Sequence, residues 1–173
     1  NITSDSVQIG WTEIGSATSW QVSVRPVSSN SIWNTVTTNS YTATGLKPNV
    51  YYNIRVRPLC VNTTPASREK IVATAAVDYC SITPFTDTGG TTGNYTDMQS
   101  WIRTMTPNNP GLKLRATFSS FDLEDSWDFL YIYNGPDILS PDLTFGGLTG
   151  NTNPGTFDST APDGSLTFEF YSD

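Results

Sequence analysis

The stretch "FSSFDLEDSWDFLYIYNGPD", residues 118 to 137, holds five carboxylates in a chain only 14% charged. Asp122, Glu124, Asp125 and Asp128 fall within seven residues, Asp137 follows, and no Lys or Arg lies among them. Acids this close repel one another unless a positive charge joins them. Hard oxygen donors in a cluster suit Ca²⁺, which takes six to eight oxygens at about 2.3–2.6 Å. The same residue types offer a second chemistry. Glu124 and Asp128 as an acid–base pair would suit glycoside hydrolysis, given carboxyls roughly 5–10 Å apart beside a cleft. A turn at the edge of a small sandwich supplies no deep cleft, so the sequence reads as non-enzymatic. The aromatics Trp127, Tyr131 and Tyr133, with Trp101, sit at strand-like spacing, which favours core or sheet-face roles. A polysaccharide-binding face on Trp127, Tyr131 and Tyr133 is the minority alternative.

What is missing narrows the field further. The chain contains no histidine, which removes Ser-His-Asp and Cys-His nucleophile systems and His-ligated transition metals. Charge is unevenly placed. Residues 1–78 carry Arg25, Lys47, Arg55, Arg57, Arg68 and Lys70 against Asp5, Glu13, Glu69 and Asp78, a net of +2. Residues 79–173 have a net of −9, with only Arg103, Lys113 and Arg115 as cations. An acidic second half argues against nucleic acid and anionic lipid and leaves metal cations and basic protein surfaces as counterparts. No apolar run approaches the roughly 18 residues of a membrane span, so no membrane insertion is expected. Two cysteines, Cys60 and Cys80, suit a disulfide-permissive, extracellular compartment without proving one.

The elements that must position these residues are strands. Thr, Ser, Asn, Gly and eleven prolines dominate, and no stretch sustains helical periodicity. "VQIGW" alternates Val7, Ile9 and Trp11 on one face, and "WQVSVRP" repeats the pattern with Trp20, Val22 and Val24. "YYNIRVRP" carries Tyr52, Ile54 and Val56 inward, and "REKIVATA" supplies another strand. Further on, "LKLRATFSSF" alternates from Leu112 through Leu114 and Ala116 to Phe118. "DFLYIYNG" follows, and "STAPDGSLTFEFYSD" predicts a hairpin turning at Asp163–Gly164 into a strand with Leu166, Phe168 and Phe170. The fold class is all-β. At 173 residues the chain suits two tandem β-sandwiches, residues 1–77 and 85–173, joined by a linker over 78–84.

Leu46, Pro48 and Tyr52, with Trp11, Ile54 and Val56, form the pattern of a tyrosine corner, in which a strand-F Tyr hydroxyl returns to the backbone upstream. Residues 1 to about 76 resemble a fibronectin type III domain, an immunoglobulin-like sandwich, with strand A incomplete. The resemblance implies a spacer or adhesion unit. It also sets the cysteines on different ends of strand G, so Cys60 is expected to pair with a cysteine upstream of residue 1 and Cys80 with one beyond Asp173.

In the second half, Gly93-Asn94-Tyr95 precedes Phe118, Phe121 and Glu124; Asp128, Leu130, Ile132 and Gly135 follow; Leu166, Phe168, Phe170, Ser172 and Asp173 come last. Residues 85–173 resemble a CUB domain, a jelly-roll sandwich, with its last strand missing and no cysteine at the acidic turn. The "DTGG…GNY" form beside a fibronectin-like module resembles bacterial secreted multidomain proteins. Calcium-binding members of the family imply the ligands Glu124, Asp128 and Asp173, with Tyr95 and Asp125 beside them toward a partner. The function expected is non-catalytic extracellular binding, adhesion or spacing within a larger secreted or cell-surface protein. Calcium would stabilise an acidic site facing a basic protein surface or a neighbouring domain of the same parent. The alternative is a polysaccharide-binding ancillary region of a secreted glycosidase or peptidase.

Overall fold

A computed structural model describes residues 1–27, 29–60, 65–76 and 84–173. The described residues are all-β, and the chain divides into two compact units, Asn1–Val77 and Asp78–Asp173.

The first unit contains β1 (Ser6–Gly10), β2 (Trp20–Pro26), β3 (Asn34–Val36), β4 (Ser40–Thr44), β5 (Tyr51–Pro58) and β6 (Arg68–Ala73). One antiparallel sheet has the order β3-β2-β5-β6 and the other pairs β1 with β4. The period-two alternation decides which side chains go inside. Val7, Tyr52, Ile54 and Val72 form the buried cluster, with Ile9, Val24, Leu46 and Val50 packed against it. Side chains of this size each contribute roughly 1.5–3 kcal/mol when fully buried. The tyrosine corner is present: the Lys47 backbone N–H donates to the Tyr52 hydroxyl at 2.9 Å. Thr74 locks the same connection, its hydroxyl donating to the Lys47 carbonyl at 2.7 Å and accepting from the Val50 N–H at 3.0 Å. Cys60 is exposed and forms no disulfide among the described residues, while Cys80, like most of the expected 78–84 linker, lies outside them.

The second unit contains β7 (Ser100–Met105), β8 (Arg115–Thr117), β9 (Phe129–Tyr133), β10 (Thr156–Asp158) and β11 (Leu166–Tyr171). A three-stranded antiparallel sheet runs β7-β11-β9, and β8 pairs with β10. The three-stranded sheet turns Trp101, Leu130, Ile132, Phe168 and Phe170 inward. Within that layer Trp101 stacks on Phe170 at 5.2 Å, and Phe85 tilts against Phe168 at 4.7 Å. Trp101 is thus a core residue.

Two local expectations are corrected. The alternation over 112–121 yields only the short β8, and Leu112 is exposed. A turn with Gly111 at φ +83° precedes it and takes Leu112 off the strand. Asp163–Gly164 does not close a hairpin, because β10 and β11 belong to different sheets. It carries the chain between them instead. The Gly164 N–H donates to the Ala161 carbonyl at 3.0 Å, and the Asp163 carboxylate accepts from the Ser165 N–H and hydroxyl at 3.1 and 2.8 Å.

Candidate metal centre

The acidic turn is a tight loop closed on itself and buttressed from a distance. The Asp128 N–H donates to the Glu124 carbonyl at 3.1 Å, and Ser126 is carried through the left-handed region at φ +69°. Thr149 braces the start and the middle of the turn. Its hydroxyl accepts from the Ser126 N–H at 2.8 Å and donates to the Glu124 carbonyl at 3.1 Å. The Leu123 N–H donates to the Gly150 carbonyl at 2.9 Å, so segment 149–150 acts as the turn's outer wall. An exposed backbone with few neighbours has become a fixed one.

Fixing the turn puts two carboxylates at one end of the β7-β11-β9 sheet. Asp128 immediately precedes β9 and is only 3% exposed, while Glu124 is exposed. The third comes from the residues just after β11. Ser172 anchors the chain after Tyr171: its hydroxyl accepts from the Gln99 N–H at 3.0 Å and donates to the Thr96 carbonyl at 3.2 Å. Asp173 then reaches Asp128, its N–H donating to Asp128 Oδ1 at 3.3 Å, while its carbonyl accepts from Met98 at 3.0 Å. Met98 holds that contact from a left-handed φ of +58°.

Glu124, Asp128 and Asp173 each offer a carboxylate oxygen, and the three oxygens lie within 4.8 Å of one another. Two oxygens each about 2.3–2.6 Å from one ion are at most roughly 5 Å apart, so the spread matches a single Ca²⁺. Both salt bridges among the described residues lie elsewhere, Arg55–Glu69 and Arg115–Asp158. Buried carboxylates are ordinarily paired or metal-bound. Asp128 is buried beside two other acids with no cation among its hydrogen-bond partners.

Tyr95 completes the near wall. Its hydroxyl donates to Asp128 Oδ2 and accepts the Glu124 N–H at 3.2 Å, and its ring meets Phe170 edge-on at 5.0 Å. Burial pushes this phenol up to about 12, with the hydrogen bond to Asp128 and the charges of Asp128 and Glu124 adding to the effect. The tyrosine therefore senses the negative potential of the cluster.

The other acids of the turn stand apart. Asp122 and Asp125 are exposed and outside the cluster, Asp125 lying against Gly150. Asp137 caps the next turn by accepting from the Leu139 N–H at 3.0 Å. Trp127 is 61% exposed and makes no ring contact among the described residues, whereas Tyr131 stacks beside Tyr133 at 6.4 Å. The structure separates that proposed trio into one lone ring and one strand-borne pair. Thr149 and Gly150 are the site residues that sequence reasoning missed. Both types are abundant in this chain, and nothing local ties them to a turn some 25 residues earlier.

Residues 1–73 match the family model of the fibronectin type III domain. The first unit is a fibronectin type III domain. The match stops short of the acidic turn, which belongs wholly to the second unit. No curated protein matches the chain. Among solved structures, chitinase ChiA74 from Bacillus thuringiensis aligns over 99% of this chain and 25% of its own length, at 17% identity and a TM-score of 0.38. This chain therefore spans a quarter of that protein, and a likeness so low carries no argument about what either unit does.

Proposed function

We propose that this chain is a non-catalytic binding and spacing segment of a larger extracellular protein. In this reading the fibronectin type III domain is the accessory spacer and the second unit is a calcium-stabilised, CUB-like recognition domain. One observation carries it: Glu124, Asp128 and Asp173 bring oxygens within 4.8 Å of one another, from the acidic turn and from the segment after β11, far apart in sequence. Backbone carbonyls and water would complete the shell of a Ca²⁺ there.

The metal does no chemistry in this reading. It ties the acidic turn to the end of β11 and holds the carboxylates still. Three carboxylates against one Ca²⁺ leave about one negative charge, which suits a Lys or Arg side chain from a partner surface or a neighbouring domain of the same parent. Tyr95 forms one wall and exposed Asp125 adds charge at the rim. An exposed ion pair contributes at most about 1 kcal/mol, so firm attachment needs several modules acting together.

The test is thermal unfolding of the full chain with calcium and with EDTA, alongside calorimetric titration with a lysine-rich peptide. Calcium should raise the unfolding temperature, and the peptide should bind weakly, only with calcium, and less as salt rises. Identical melting curves with and without EDTA would remove the calcium site. Peptide binding that ignores calcium would remove the recognition role.

A further inference from the structure

The β7-β11-β9 sheet has a second face. Antiparallel pairing sets Tyr171 opposite Phe129, Glu169 opposite Tyr131 and Glu169 opposite Ile102. Alternation from the buried Phe168, Phe170, Leu130 and Ile132 turns these residues outward. Along β9 the rings of Phe129, Tyr131 and Tyr133 succeed one another at 6.2 and 6.4 Å, with interplanar angles of 28° and 17°. Tyr171 is 49% exposed and Ile102 is 42% exposed beside them. Gly147 keeps the outer edge low. A Cβ there would stand 2.9 Å from the Tyr131 ring and 3.1 Å from that of Phe129, so only glycine lets both rings settle.

One carboxylate, Glu169, sits in the middle of this aromatic surface, and Asp142 lies at its edge beside Tyr133, its own carboxylate already accepting from Thr144 and Gly146. Glu169 is half-buried, and its Oε2 accepts the Tyr133 hydroxyl at 2.7 Å. Among the described residues its Oε1 accepts nothing, and neither β9 nor β11 contains a Lys or Arg. A ligand for this face must bring hydrogen-bond donors to Glu169 and flat C–H surfaces to a row of rings. It must also carry no negative charge, since the chain is at −7.

We propose that this outer sheet face binds a neutral polysaccharide lying along β9, with Tyr131, Tyr133 and Tyr171 stacking on successive sugar rings and Glu169 accepting sugar hydroxyls. Sugars combine donor hydroxyls with apolar C–H faces in a repeating chain, which matches a repeating row of aromatics. A basic peptide would meet Glu169 with one cation and stack others on the rings, a contact that high salt weakens, so that salt separates it from glycan binding. Trp127 makes no ring contact with this row among the described residues. The site is separate from the calcium reading and does not depend on it.

The probes are insoluble cellulose, insoluble chitin and an array of neutral oligosaccharides, applied to the full chain in EDTA and high salt. The expected result is retention by at least one, weakened about tenfold or more by Tyr171→Ala and by Glu169→Gln. Circular dichroism and unfolding temperature check that both variants are folded. Tyr171 and Glu169 lie outside the calcium cluster, so their calcium response should match that of the parent chain. Absence of any neutral-glycan binding overturns the proposal, as does retention that high salt abolishes or that both folded variants keep. Sedimentation supplies a third outcome: a dimer lost in Tyr171→Ala would assign the face to a second copy and overturn the glycan.

Discussion

Tyr95 reports on its acidic neighbours through its own proton. Its pKa, lifted from 10.0 to about 12, lies above the unfolded value, so the folded form holds the proton more tightly. The resulting stability is whole below about pH 10 and is lost as pH climbs through about 12. Ultraviolet titration should show two tyrosines ionising late, Tyr95 and Tyr133, the latter pushed up by burial and its hydrogen bond to Glu169, and Tyr95→Phe should remove one of the two. Calcium should bring the Tyr95 titration down toward the ordinary value, but only part of the way, because burial is the largest cause of the shift. Glu124→Ala is the companion variant. It removes an exposed carboxylate that makes no hydrogen bond among the described residues and leaves the backbone bonds of the turn intact, so the fold should persist while any difference between calcium and EDTA melts disappears. A Glu124→Ala protein that still responds to calcium would place the metal elsewhere.

At the scale of the elements, two connections hold by side-chain hydroxyls and should yield to their removal. Tyr52→Phe deletes the acceptor for the Lys47 N–H while leaving the ring in the core, an expected cost of about 1 kcal/mol in urea unfolding. Thr149→Val removes both braces of the acidic turn. It should weaken calcium binding without touching a ligand, since the turn then samples other shapes. Part of the strand set was plain in the sequence. β1, β2, β5 and β11 follow alternating apolar residues, β6 and β9 carry unbroken apolar runs, and Tyr52 announced its corner by its distance from Leu46 and Pro48. Glu124, Asp128 and Asp173 came from family resemblance, and only the folded chain shows their oxygens together. Leu112 and Asp163–Gly164 misled for a shared reason. Apolar alternation and a turn dipeptide describe local preference, whereas the sheet a strand joins is decided by partners far along the chain. Thr149 had no local signal at all.

The whole molecule has two units with separate cores, so calorimetry should resolve two unfolding events. Calcium should move only the one belonging to Asp78–Asp173. Saturation at about a hundred times the dissociation constant would add roughly 2.7 kcal/mol to that unit. An equal shift of the fibronectin type III transition would contradict a site confined to the second unit. Phe168→Ala offers the reciprocal check. Its side chain is 1% exposed in the second unit's core, so the substitution should cost about 3–5 kcal/mol there and leave the first transition in place.

β11 lies between β7 and β9, and those two strands have no ladder with each other. During synthesis both must wait for a partner that emerges after them, one about 60 residues later and the other about 35. Pairing at such separations is slow, because loop closure precedes any gain from contact. The fibronectin type III unit, whose strands are all made earlier, has time to fold first. Glu124 and Asp128 are likewise translated long before Asp173, and their shared pocket closes only when β11 docks. Under the proposed reading, a Ca²⁺ would be gripped fully only by a finished sheet, as the last part fitted and a seal on completed folding.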